Sequence, residues 1–160
     1  VLIDLLDIGL LDEAMRIPCV METTDLVQFE IVDPDQATAL SRCIEGGLLT
    51  VLSSSIEQMT KIGEMQNTHP QLTLADCSVV FHAREREGIV LSGDGRLRKE
   101  AAKQHLEVHG TPWLLDLMVA ESTLTPRAAI EKLEQLMLIN RRLPHHECLR
   151  LIETWKKVDR

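Results

Sequence analysis

Three carboxylates in this chain, Glu30, Asp76 and Asp94, are spaced so that one sheet edge would gather them. Asp76 lies in the first turn of an amphipathic segment opening Leu74-Ala75-Asp76-Cys77. Asp94 follows a short apolar run in Val90-Leu91-Ser92-Gly93-Asp94-Gly95. A helix packed antiparallel to the parallel strand that follows it starts at the edge where that strand ends. Asp76 and Asp94 are therefore expected close together at the carboxyl edge, where open α/β sheets hold their ligands. Glu30 follows a turn expected to open on the same edge. Clustered carboxylates repel unless a cation or a proton intervenes. Hard oxygen donors with no His or Cys among them favour Mg²⁺ or Mn²⁺ over Zn²⁺. Such an ion binds phosphate oxygens, lowers the pKa of a bound water and stabilises a leaving oxygen. That chemistry needs neither a nucleophilic side chain nor a broad basic surface. Each acid also has a structural role open to it. Thr73-x-x-Asp76 is a variant capping box, Asp94 can cap a helix beginning at Gly95, and Glu30 can be a solvated surface acid.

The elements that must position these acids follow from hydropathic period and from helix stop and start signals. Val1–Met15 fits a helix through Leu5, Ile8 and Asp12, while Val1–Leu6 alone also reads as a buried strand. Ile17–Glu22 is expected to be a strand. Thr24 or Asp25 then caps a helix carrying Leu26, Val27, Phe29 and Glu30, and a further helix from about Asp35 to Glu45 stops at Gly46-Gly47. Leu48–Leu52 is β-type. Ser54-Ser55-Ile56-Glu57 reads as a capping box, with Ile56, Met59 and Ile62 on one helical side. Thr73 caps the helix whose core face is Leu74, Cys77 and Phe81; Gly88 ends it, and Ile89–Leu91 is a short strand. Helix Gly95–Leu106 precedes a brief run at Leu106–Val108. Thr111-Pro112 and Thr125-Pro126 each read as an N-cap with Pro at the first helical position. Ile130, Leu133 and Met137 form one stripe and Cys148, Ile152 and Trp155 another, both expected to pack on the sheet or a partner. Short strands alternating with helices imply an α/β fold with a parallel sheet and right-handed crossovers.

Composition bounds the function. The 160 residues carry 44% apolar and 26% charged side chains, as in an ordinary globular protein with a sizeable core. Seventeen basic against twenty-five acidic residues give a net charge of −8, a poor footprint for gripping duplex nucleic acid by charge alone. The balance also suits a basic partner segment. No apolar run approaches the roughly 18 residues of a membrane span, and no signal peptide is visible. Cys19, Cys43, Cys77 and Cys148 are scattered without a Cys-x-x-Cys pair, which fits a reduced, cytoplasmic setting.

Four segments in order, Val1-Leu2-Ile3-Asp4-Leu5-Leu6, Thr24-Asp25-Leu26-Val27-Gln28-Phe29-Glu30, Leu74-Ala75-Asp76 and Leu91-Ser92-Gly93-Asp94-Gly95-Arg96-Leu97, resemble successive motifs of PIN-domain proteins, among them the VapC-like ribonuclease toxins of bacterial toxin–antitoxin pairs. The resemblance spans about residues 1–110. Arg141-Arg142-Leu143-Pro144 and its flanking helices look like a C-terminal extension found in some PIN-like proteins, over residues 111–160, packed on the same domain. The resemblance implies an α/β/α sandwich around a central parallel sheet, and hydrolysis of RNA phosphodiester bonds with Mg²⁺ or Mn²⁺. It implies an antitoxin protein as partner and allows a homodimer. Carried over by position, Glu30, Asp76 and Asp94 are the second, third and fourth metal-binding acids. Ser92 is a site-orienting hydroxyl, Asp4 a more variable supporting acid, and Arg96 is expected to meet substrate. The family's first acid ends its first strand, and the matching position falls upstream of Val1. A preceding strand bearing an Asp is expected, because a parallel sheet without its central strand loses ladder partners and cover. The alternative is a catalytically inactive PIN-like binding module whose acidic edge receives Arg or Lys from a partner.

Other motifs carry less. His145-His146-x-Cys148 has no second ligand cluster with zinc-like spacing and reads as a helix start with a core Cys. Arg84, Arg86, Arg96, Arg98, Lys99 and Lys103 form a basic patch that could guide phosphates, or a solvated helix face. The aromatics are only Phe29, Phe81, Trp113 and Trp155, with both Phe on expected core faces, so base stacking is not a strong feature. Gly93-x-Gly95 lacks the third Gly of a dinucleotide fingerprint, and Gly46-Gly47 lacks the Lys of a phosphate loop. A receiver-like domain would need a phosphoacceptor Asp and a later Lys that are not placed correctly.

Overall fold

A computed structural model describes residues 1–158. The ambiguous N-terminal run is helical: α1 (Leu2–Asp7) and α2 (Leu11–Ala14) meet at Gly9, whose φ of +65° turns the chain between them. The strand expected at Ile17–Glu22 is shorter and later, β1 being Glu22–Thr24. Pro18 has no N–H to give a ladder, and Val20 points into solvent, 81% exposed. Helix α3 (Asp25–Phe29) is capped by Thr24, whose hydroxyl accepts from the Val27 N–H at 3.2 Å. Helix α4 (Pro34–Glu45) starts on an Asp33 cap with Pro at its first position. It stops at Gly46, and Gly47 takes φ +70°.

Strand β2 (Thr50–Leu52) leads to α5 (Ile56–Thr68). The capping box here is Ser55 with Gln58, one residue later than the Ser54-to-Glu57 spacing predicts. The shift turns Ile56 outward, 89% exposed, while Ile62 is fully buried. Helix α6 (Leu74–Glu85), β3 (Val90–Leu91), α7 (Gly95–Lys103) and β4 (Val108–His109) follow. At the end of α6 the left-handed residue is Glu87, φ +52°, rather than the expected Gly88. Three helices close the chain: α8 (Thr111–Ala120), α9 (Pro126–Ile139) and α10 (His145–Val158). Thr125 caps α9 as its sequence predicts, but Gly110 is the cap of α8, and Thr111 is buried inside the helix.

Strand β1 pairs with β2 in parallel, Glu22 opposite Thr50 through Thr24 opposite Leu52, and β3 pairs with β4, Val90 opposite Val108 and Leu91 opposite His109. The class is mixed α/β with short parallel sheets. The single continuous central sheet is not formed: among the described residues the strands make two separate two-stranded sheets. The Val90 and Ser92 N–H groups donate to Glu107 and His109 carbonyls, so the Leu91 N–H between them turns to the opposite edge. A cavity of about 1010 Å³ is lined by residues of both sheets, Met21–Thr24 and Val90–Ser92 among them.

Two apolar cores flank it. The larger joins α1, α2 and α4 to α8, α9 and α10, through residues such as Leu5, Leu40, Leu115, Leu133, Cys148 and Trp155. The final three helices therefore share the N-terminal core. The smaller core is Ile62, Leu72, Cys77, Val80, Phe81, Val90, Leu97 and Ala101, between α5, α6, α7 and β3. Each large side chain buried in this way contributes about 1.5–3 kcal/mol. No helix among the described residues is long and apolar enough to cross a membrane.

Candidate functional site

Glu30, Asp76, Asp94, Asp4 and Ser92 all line the cavity between the two sheets. Local capping chemistry puts them there. Thr24, at the end of β1, both caps α3 and donates its hydroxyl to Ser78 Oγ at 2.8 Å. Ser78 Oγ in turn donates to the Ala75 carbonyl at 2.7 Å. This buried chain ties the element that ends in Glu30 to the first turn of α6, where Asp76 sits.

Asp76 and Asp94 each carry out the structural role their sequence context allows, and each uses only one oxygen to do so. Asp76 Oδ2 accepts from the Thr73 N–H at 2.9 Å, while Thr73 Oγ1 accepts from the Asp76 N–H at 3.0 Å, a complete capping box. Asp94 Oδ1 accepts from the Arg96 and Leu97 N–H groups at 2.8 and 3.0 Å. Ser92 Oγ accepts from the Asp94 N–H at 3.1 Å and so fixes the turn that aims the acid. Asp76 Oδ1 and Asp94 Oδ2 have no hydrogen-bond partner among the described residues. Partial burial, and after it the negative charge of Asp76, push the Glu30 carboxyl above its ordinary range. Glu30 and Asp76 thus feel one another's field.

Asp4 differs from these three. It is buried, and both of its oxygens are engaged: Oδ2 accepts from Thr111 Oγ1 and Oδ1 from Asn140 Nδ2 at 2.9 Å. It ties α1 to the start of α8 and to the turn after α9. Arg96 is exposed and its side chain is not on the cavity wall; the cation on that wall beside Ser92 is Arg98, whose Nη1 donates to the Ser92 carbonyl at 3.0 Å. The remainder of the basic patch is partly spent elsewhere. Arg86 pairs with Glu22 at 3.0 Å, Lys103 with Glu100 at 3.4 Å, and Arg84 lies over the Phe81 ring at 5.7 Å. Phe81 is buried as expected, but Phe29 is 78% exposed: α3 is only five residues long and buries none of its side chains. A stacked pair that sequence reasoning missed, His109 on Trp113, lines the same cavity as Asp94.

No group of three or more His, Cys, Asp or Glu side chains among the described residues stands close enough to cage an ion by itself. Cys148 of His145-His146-x-Cys148 is a buried core thiol of α10, its pKa pushed up to about 11 by burial. The acids offer hard oxygen donors on a cavity that protein only partly encloses. Mg²⁺ commonly takes one or two carboxylates and completes its shell with water and phosphate oxygens. Glu30 and the unpartnered oxygens of Asp76 and Asp94 fit that chemistry.

A search of curated proteins found no match. A family model named DUF3368 and described as a PIN domain matches residues 1–157, nearly the whole chain and all of the acids above. The chain belongs to the PIN-domain family.

Proposed function

We propose that this protein is a metal-dependent endoribonuclease that hydrolyses RNA phosphodiester bonds and serves as the toxin of a toxin–antitoxin pair in the cytoplasm. The observation that carries the reading is the set of carboxylates lining one cavity. Asp76 and Asp94 each have one oxygen held by a helix start and one without a partner, and Glu30 is close enough to be perturbed by Asp76. Glu30, Asp76 and Asp94 would hold Mg²⁺ or Mn²⁺. When bound, the ion supplies positive charge to the phosphodiester and acidifies a water. Ser92 holds the Asp94 turn, and Arg98 brings a guanidinium beside it. Asp4 acts as a positioning residue through Thr111 and Asn140. Residues 1–110 form the nuclease unit in this reading, with 111–160 as its helical extension.

The test is cleavage of RNA by the full-length protein with Mg²⁺. Asp76→Asn keeps a capping side chain and is expected to abolish cleavage; full activity in that variant would remove Asp76 from the site.

A second reading, a PIN-like binding module without catalysis, is favoured by the lack of a closed three-acid cage among the described residues. In that case a partner's Arg or Lys meets the acids. The exposed Phe29 and Val32 beside Glu30 offer an antitoxin-like chain, or a second copy, an apolar hold. Titration with Mn²⁺ separates the two: binding that disappears in Asp94→Asn belongs to the nuclease, and no binding at all to the module.

A further inference from the structure

The two tryptophans of this chain stand in opposite environments. Trp155 is a core residue, 1% exposed, and its indole N–H donates to Asp116 at 2.9 Å. Trp113, in the first turn of α8, is only half-buried, and its indole N–H donates to no group among the described residues. Its ring lies flat against His109, with centroids 3.9 Å apart and planes 8° from parallel. His109 is itself partly exposed and is held at its other end, Nε2 lying 2.7 Å from a Glu107 carboxylate oxygen. The strand register sets this pair beside the acids. His109 is opposite Leu91, and its carbonyl accepts from the Ser92 N–H at 2.8 Å, two residues before Asp94. Arg98 lies across the same corner, bonded to the Ser92 carbonyl. His109, Trp113, Arg98 and Asp94 line one cavity.

A flat aromatic pair, fixed in place, partly open and flanked by a guanidinium, matches what an unpaired nucleobase with its phosphate requires. Bases inside a duplex have their faces covered and cannot use it. Building on the ribonuclease reading above, we propose that the His109–Trp113 pair is a stacking platform for one base of single-stranded RNA, holding the neighbouring phosphodiester at the acidic edge while Arg98 meets the backbone. Trp113 and His109 are then substrate-positioning residues, and they select single strands over duplex.

The two environments make the experiment direct, because Trp155 is shielded and Trp113 is not. A short single-stranded oligoribonucleotide is added to the protein in EDTA, so that nothing is cut, and tryptophan emission is followed. The expected result is quenching by the single strand and none by a duplex of the same sequence. In Trp113→Leu the quenching disappears, binding weakens on the order of tenfold, and with Mg²⁺ KM rises while kcat holds. Trp113→Phe retains an aromatic face and keeps most of the binding. Equal losses in Trp113→Phe and Trp113→Leu would mark a packing role and overturn the platform, as would undiminished binding in Trp113→Leu. Cleavage without quenching rejects the platform alone. Quenching without cleavage on adding Mg²⁺ supports the platform and rejects the nuclease reading.

Discussion

The two apolar cores differ in how the chain builds them. The smaller one is drawn from residues 62–101, a single sequence-local stretch, and it carries Asp76 and Asp94 on the two helices that enclose it. The larger one joins residues 5–49 to residues 114–155 across most of the chain and holds Trp155, Leu133 and Leu115 at its centre. Asp4, beside Leu5 of the larger core, joins α1 to Thr111 and Asn140 on the cavity lining by side-chain hydrogen bonds. The lesson is a division of labour. Apolar residues of both cores, Leu5, Leu114, Val90 and Leu97 among them, reach the cavity lining, while the acids are aimed by short-range caps that need little area.

That contrast can be broken or sharpened by four measurements. The largest effect is expected from Leu133→Ala in the larger core, a loss of about 2–5 kcal/mol in denaturant unfolding; the fraction that remains folded should cleave RNA at the normal rate. Asp94→Asn should do the reverse, lowering RNA hydrolysis on the order of 100-fold or more with little change in Tm, because Asn still caps a helix. A melting loss in Asp94→Asn as large as that of Leu133→Ala would erase the distinction between the two regions. Asp4→Ala should fall between them, costing about 1–3 kcal/mol because Thr111 and Asn140 lose their acceptor, with activity reduced through misplacement of α1 and α8.

The smallest effect is the pH dependence of Glu30. Its folded pKa is raised, so the stability it contributes is fully present below the ordinary glutamate range and is lost as pH rises through the raised value. Metal binding runs the other way, since it needs the carboxylate, and should strengthen over the same window. Glu30 is exposed, so solvent screening keeps the stability change small. Carboxyl chemical shifts followed against pH, with and without Mn²⁺ and in Glu30→Gln, check both signs.

Much of this was legible in the sequence because capping is local. Thr24, Thr73, Asp94 and Thr125 were all readable as helix starts, since a hydroxyl or carboxylate three residues before an amide forms its bond with no outside help. That Glu30, Asp76 and Asp94 line a common cavity was legible because their turns alternate with strands. What failed was either close competition or distance. Ser54 and Ser55 are equivalent as caps by spacing, and Gln58 decides for Ser55, leaving Ser54 Oγ 2.9 Å from His82 Nε2. Phe29 looks like core by type, yet α3 is too short to bury a face. The separation of the sheets, and the meeting of His109 with Trp113, depend on lateral strand placement, which hydropathic period does not encode.

The one-oxygen attachment of Asp76 and Asp94 has a consequence for binding. A carboxylate free in solvent must give up rotamer freedom before it can serve as a ligand, at a cost of about 0.5–1.5 kcal/mol per side chain. In these two residues folding has already frozen the side-chain torsions, through the Thr73 amide in one and the Arg96 and Leu97 amides in the other. The unbonded oxygens therefore point in set directions before anything arrives. Lengthening either residue to Glu would lose that order even though charge and chemistry are kept.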